Sequence, residues 1–153
     1  MTAEEFAFKI STLLSYADSP IIVVKTATKF KDELLKLIDT FDIVELEVAS
    51  VRLSSTITEN EDFYILGRED DADIVIDKKD GTVKIYDSYE KRTIYECASN
   101  GGLFLDLLYA VAQFFDTFDI YDQKEGIQYA EEFIKMYDYE KFRDFVEYIF
   151  PVW

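Results

Sequence analysis

Apolar and polar positions divide the chain into an amino-terminal third of mixed signals, a β-rich middle and a helical end. Thr2-Ala3-Glu4-Glu5 has capping-box spacing, in which Thr2 and Glu5 satisfy each other's free amides. Phe6, Ile10, Leu13, Leu14 and Ala17 follow at helical intervals, which predicts a first helix to about Tyr16, broken at Ser19-Pro20. Ile21 to Val24 is continuous and β-branched, the pattern of a strand covered on both faces. Thr28 is placed to cap a second helix carrying Phe30, Leu34, Leu37, Ile38 and Phe41 on one side. Ile43 to Val48 returns as a strand. The loose alternation of Val51, Leu53 and Ile57 predicts another between Ala49 and Asn60.

In the middle, Phe63 to Gly67 reads as a strand ending on glycine. Ile74 to Asp77 and Thr82 to Tyr86 flank Asp80-Gly81, a strong hairpin signal. A two-residue loop there sets Ile76 opposite Ile85, Val75 opposite Tyr86 and Asp77 opposite Lys84. Arg92 to Cys97 supplies one more strand. The period then becomes helical, with Ser99 or Asn100 as cap for a helix opening near Gly101. From Leu103 to Phe118 the clearly polar side chains are Asp106, Gln113, Asp116 and Thr117. A helix apolar on most sides must be buried on most sides, so this one is expected at the centre. Asp122 and Glu125 open a helix through Ile127, Ala130, Ile134 and Tyr137. Asp138 is the expected cap of a last helix bearing Phe142, Phe145, Val146 and Ile149 before Pro151.

The whole predicts a single α+β domain over residues 1–153, with a mostly antiparallel sheet flanked by helices. A chain of 153 residues suits one core. With 49% hydrophobic and 16% aromatic residues it has enough apolar surface to fold.

Charge narrows the function. Against 16 basic side chains stand 32 acidic ones, for a formal net charge of −16. Such a chain repels phosphate backbones and anionic membranes, so direct contact with nucleic acid or lipid is disfavoured. The absence of histidine removes Ser-His-Asp and Cys-His catalysis and every histidine-ligated metal. Cys97 is the lone cysteine; beside Glu96 it reads as a small buried hydrophobe, not a reactive thiol. One cysteine and an acidic, leader-free start fit a cytoplasmic protein. Neither a phosphate-binding glycine loop nor GxGxxG occurs. Setting Gly81 as the sixth position of a calcium loop puts Ile76 and Lys78 where carboxylates are required. No cofactor, metal or catalytic residue is expected.

The acidic run is the most suggestive local feature. Glu59, Glu61, Asp62, Glu69, Asp70, Asp71 and Asp73 stand against the single base Arg68 between Glu59 and Asp73. Read as a partner-binding surface, this run steers a basic protein and raises its association rate. Read blandly, it is a solvated loop. Tyr137, Tyr139, Phe142, Phe145, Tyr148, Phe150 and Trp153 form an aromatic carboxyl-terminal stripe, core in the main and a second candidate interface.

The middle segment resembles the SUKH superfamily over roughly residues 62–115. The features are an aromatic strand ending in Leu66-Gly67, a strand from Asp73 to Asp77, a turn led by Gly81-Thr82-Val83, and an Ala98-Ser99 step into Phe104-Leu105. The amino-terminal Leu-Pro pair common in that superfamily is missing. The resemblance implies bacterial immunity proteins, which bind and neutralise a toxin, often a nuclease, without catalysis. It carries over no functional residues. Charge and resemblance agree on a cytoplasmic binding protein with a basic toxin as partner. The alternatives are an acidic regulatory or structural interaction domain without a toxin partner, and a carboxylate-dependent hydrolase.

Overall fold

The computed structural model describes residues 1–13, 16–17, 21–24, 27–43, 46–117 and 123–150. Leu14, Ser19-Pro20, Val44-Glu45, Phe118, Asp122, Pro151 and Trp153, to which the sequence assigns roles, lie outside these residues.

The fold is α+β. A six-stranded antiparallel meander holds β3 (Glu47–Val48), β4 (Val51–Glu59), β5 (Phe63–Glu69), β6 (Ala72–Asp77), β7 (Val83–Asp87) and β8 (Arg92–Ala98) side by side in chain order. A separate ribbon pairs β1 (Ile22–Val23) with β2 (Phe41–Asp42). The helices are α1 (Ala3–Ile10), α2 (Glu33–Thr40), α3 (Gly101–Thr117), α4 (Gln123–Tyr137) and α5 (Arg143–Ile149). Leu66, Ile74, Ile76, Val83 and Ile85 share one core with α1, α2, α3, α4 and α5, while Val75 on the opposite sheet face stays outside it. As its apolar circumference predicts, α3 is central and touches α1, α2, α4, β3 and β8.

Local chemistry explains the boundaries. The capping box forms as expected: Glu5 N–H donates to Thr2 Oγ1 and Thr2 N–H to Glu5 Oε2, both at 3.1 Å. The helix nevertheless ends at Ile10, short of Tyr16. Ser11 and Thr12 donate their hydroxyls to the carbonyls of Ala7 and Lys9, at 2.8 and 2.6 Å, drawing the chain into tight turns. For the second helix the cap is Asp32, not Thr28. Asp32 Oδ1 accepts the N–H groups of Leu34 and Leu35, and Oδ2 accepts Gly101 N–H at 2.8 Å, so one carboxylate joins the starts of α2 and α3. Phe30 therefore precedes the helix. Asn100 caps α3 through Leu103 N–H at 3.0 Å.

The β6–β7 hairpin differs from its expected register. Ile74, not Ile76, lies opposite Ile85; Val75 faces Lys84 and Ile76 faces Val83. The loop is longer than Asp80-Gly81, closed by Asp77 N–H to Thr82 O at 3.0 Å and Gly81 N–H to Asp77 O at 2.8 Å. Gly81 takes the left-handed conformation (φ 77°) that this loop needs. A shift of two positions keeps every side chain on its own face, so Ile85 remains fully buried. Lys84 still reaches Asp77 diagonally at 2.8 Å.

Two corrections concern the carboxyl-terminal helices. On α4 Ala130 and Ile134 are buried as expected and Phe133 joins them, while Ile127 and Tyr137, expected on the same face, are 47% and 37% exposed. Asp138 ends α4 and does not begin the next helix. It adopts φ 55°, and Tyr139 N–H closes back onto Ile134 O at 2.9 Å, a left-handed helix terminus. A 3₁₀ turn (Glu140–Phe142) then leads into α5.

Candidate functional site

The acidic run does not form one patch. Glu59, Glu61 and Asp62 sit around the β4–β5 turn, whereas Glu69, Asp70 and Asp71 sit at the far end of β5. At about 3.3 Å per strand residue, the ends of a seven-residue strand lie roughly 20 Å apart. Asp73 stands on β6, half-buried on the outer face of the sheet, opposite Arg68 and Tyr86.

At the first end, Asn60 Oδ1 accepts the N–H groups of Asp62 and Phe63, both at 2.9 Å, and shapes the turn. Lys78 crosses from the neighbouring loop and donates to Glu59 Oε2 at 2.6 Å and to Asn60 O at 2.7 Å. That hydrogen bond and the ammonium charge hold the Glu59 carboxyl below its ordinary range. Glu61 and Asp62 are exposed.

At the second end the expected surface acids part company. Asp70 and Asp71 are exposed, and Asp70 makes the turn with φ 49°. Arg68 donates to Asp71 O at 3.1 Å. Glu69, by contrast, is only 5% exposed. It lies opposite Ala72 on the core side of β5 and accepts a hydrogen bond from the Tyr148 hydroxyl of α5. Glu69 is thus a structural acid, not part of a solvated surface. A bonded carboxylate is tolerated at such a position because its partner replaces lost hydration.

Away from the run, a cleft of about 490 Å³ opens between α2 with the β1–β2 ribbon and the strand β4. Ile38 and Phe41, 3% and 6% exposed, form its floor with Phe30 and Ile57. Asp39, Asp42 and Glu59 line it together with Lys29, Ser55 and Thr56. Asp39 is oriented by the Thr28 hydroxyl, which donates to Oδ2 at 2.5 Å. Sequence reasoning missed Asp39 and Asp42. They are polar positions of an amphipathic helix and the strand behind it, and nothing in their spacing reveals that β4 folds back alongside them.

The remaining candidates fall into the core. Cys97 is fully buried, and burial pushes its thiol well above the ordinary value, which leaves no nucleophile at neutral pH. Of the aromatic stripe, Tyr139, Phe142, Phe145 and Phe150 are buried, while Tyr137 and Tyr148 keep 37% and 39% of their surface. Much of the nearby acidity is already engaged: Arg143 binds Glu140 at 2.8 Å, Glu147 at 3.0 Å, and Glu131. Among the described residues, no group of three or more potential ligands is placed to hold a metal ion, and no helix is long and apolar enough to cross a membrane. No family model matches the chain, and neither a curated protein nor a solved structure does.

Proposed function

We propose that this chain is a non-catalytic cytoplasmic binding protein of the SUKH type: an immunity protein that occludes a basic toxin domain, a nuclease, with its acidic surface. The observation that carries the reading is the formal charge of −16 on one α+β domain whose sheet presents exposed carboxylates at both ends. A nuclease cleft is built to attract phosphate, so a protein of this charge meets it with complementary potential and suffers repulsion from nucleic acid itself. The middle segment supports the reading too. Its motif positions form a meander strand through Leu66-Gly67, a strand ending at Asp77, a turn at Gly81 and a strand ending at Ala98 before α3.

The test is co-expression with a basic nuclease domain, sought first in the adjacent reading frames, followed by surface plasmon resonance of the purified pair at low and high salt. The expected results are restored growth and an association rate that falls at least about tenfold as salt rises. Undiminished toxicity, or an association rate indifferent to salt, overturns the proposal.

A further inference from the structure

We propose that Asn100 is a site of covalent self-modification, at which the chain deamidates through a cyclic imide, and that Asp32 restrains this reaction in the folded state. The dipeptide Asn100-Gly101 supplies the chemistry. The nitrogen of Gly101 attacks Cγ of Asn100. A C–N bond forms, the bond from Cγ to Nδ2 breaks, and ammonia leaves with the proton that Gly101 gives up. Water then opens the imide at either carbonyl and leaves aspartate or isoaspartate at position 100. No reactant other than water is consumed. Glycine in second place lets the ring close, because it has no side chain to obstruct the approach. Asn100 is exposed, so water reaches it.

Position 101 has to be glycine for a separate reason. A Cβ there would collide with Asp32 Oδ1 and Leu34 Cβ, because the starts of α2 and α3 meet at this point. The fold therefore keeps a labile pair at the head of its central helix. Asp80-Gly81 is not equivalent. The hydrogen bond from Thr82 N–H holds the Asp80 carboxyl below its ordinary 3.8, and an ionised carboxylate resists attack by a nucleophile.

The folded structure holds both reacting groups in other contacts. Gly101 N–H donates to Asp32 Oδ2 at 2.8 Å, and the negative carboxylate beside it opposes loss of the proton. Asn100 Oδ1 accepts Leu103 N–H at 3.0 Å, and Asn100 O accepts Phe104 N–H at 3.2 Å. Ring closure has to give up these contacts, so it proceeds from molecules in which the first turn of α3 has opened. Such opening is far faster than imide formation, and the rate follows the population of the open form. The product is permanent. Aspartate still caps α3 but puts a second negative charge beside Asp32. Isoaspartate lengthens the backbone and displaces the oxygens that Leu103 and Phe104 bond. Because α3 touches α1, α2, α4, β3 and β8, a lesion at its start loosens the whole core.

The experiment follows the mass of the peptide containing Asn100 over time, at neutral pH in ¹⁸O-labelled water, with enzymatic methylation to count isoaspartate. The arms are the native full chain, the chain unfolded in guanidinium chloride, and Asp32→Asn in both states. That substitution keeps one oxygen for the cap of α2 and leaves none for Gly101 N–H. Native wild type is expected to react at least about tenfold more slowly than the unfolded chain. Native Asp32→Asn should react about tenfold faster than native wild type, as loss of one capping contact implies, and at the wild-type rate when unfolded. Denaturant below the unfolding transition should already accelerate the wild-type reaction, a measurement that stands whether or not Asp32→Asn folds. Asn100→Ser, which keeps a capping oxygen and has no amide to lose, should abolish the mass change. Native wild type reacting as fast as the unfolded chain overturns the restraint. A slower reaction in native Asp32→Asn makes Asp32 a base and overturns it too. Absence of a mass change at Asn100 in the unfolded chain overturns the site.

Discussion

Replacing Tyr148 by Phe tests whether the buried acid of the run is structural. Glu69 is 5% exposed and accepts the Tyr148 hydroxyl hydrogen bond across a sequence separation of 79 residues. The phenylalanine ring retains the stack on Tyr95, at 5.0 Å between centres, so the substitution removes the donor and little packing. A buried acceptor left without its donor costs about 1–3 kcal/mol. For a chain of 153 residues, each kcal/mol lowers the melting temperature by about 2–4 °C. Urea unfolding at pH 7 should therefore show a loss in that range for Tyr148→Phe. Asp70→Asn, which keeps an αL-tolerant residue at the exposed turn, should stay within about 0.5 kcal/mol of wild type. A pH series adds a second reading. Burial, and then the hydrogen bond to Glu69, push the Tyr148 hydroxyl up from its ordinary 10.0 to about 12. The folded state thus keeps a proton that the unfolded state loses. This contribution is fully present below pH 10 and is lost as pH rises towards 12, a decline that should be shallower in Tyr148→Phe. A variant as stable as wild type at pH 7 would refute the assignment of Glu69 to the core.

Other expectations follow from packing and pairing. Ile85→Ala should lose about 2–5 kcal/mol in urea unfolding, because the side chain is fully buried opposite Ile74; a loss below about 0.5 kcal/mol would put it on the wrong face. Among the described residues the buried Tyr139 hydroxyl has no hydrogen-bond partner, so Tyr139→Phe should gain about 1 kcal/mol, and a clear loss in thermal unfolding would show that the hydroxyl is satisfied. The Asp77 carboxyl is held below its ordinary 3.8 chiefly by the hydrogen bond from Lys84. Its stabilisation is present above that value and lost as pH falls through the depressed one. Asp77→Asn should therefore be weaker than wild type by about 0.5–1 kcal/mol at pH 7, and the gap should narrow as pH falls below 3.8; a gap that does not narrow on acidification would refute the linkage.

What was legible in the sequence was what local chemistry decides. The capping box at Thr2 and Glu5, the apolar circumference of α3 and the strands β5 to β8 each depend on residues a few positions apart, and each formed. Failures came where two local solutions compete. Thr28 and Asp32 are both competent caps, and Asp32 won because its second oxygen also holds Gly101, a contact 69 residues distant. The hairpin register was underdetermined for a different reason. Moving it by two residues preserves which face each side chain occupies, so alternation alone accepts Ile74 or Ile76 as the partner of Ile85.

The candidate site shows the same limit in sharper form, because sequence proximity misled in both directions. Acids within one run of the chain were pulled to opposite ends of β5, since a strand spends its length on distance. Asp39 and Asp42, outside that run, were brought beside Glu59 by the return of β4 along α2. Net charge is insensitive to such rearrangement; where the charge gathers is not. Attraction of a basic partner over a Debye length can be argued from composition. Where charge gathers depends instead on which carboxylates share a concave surface with Phe30, Phe41 and Ile57. That arrangement exists only once α2 and β4 have folded against each other.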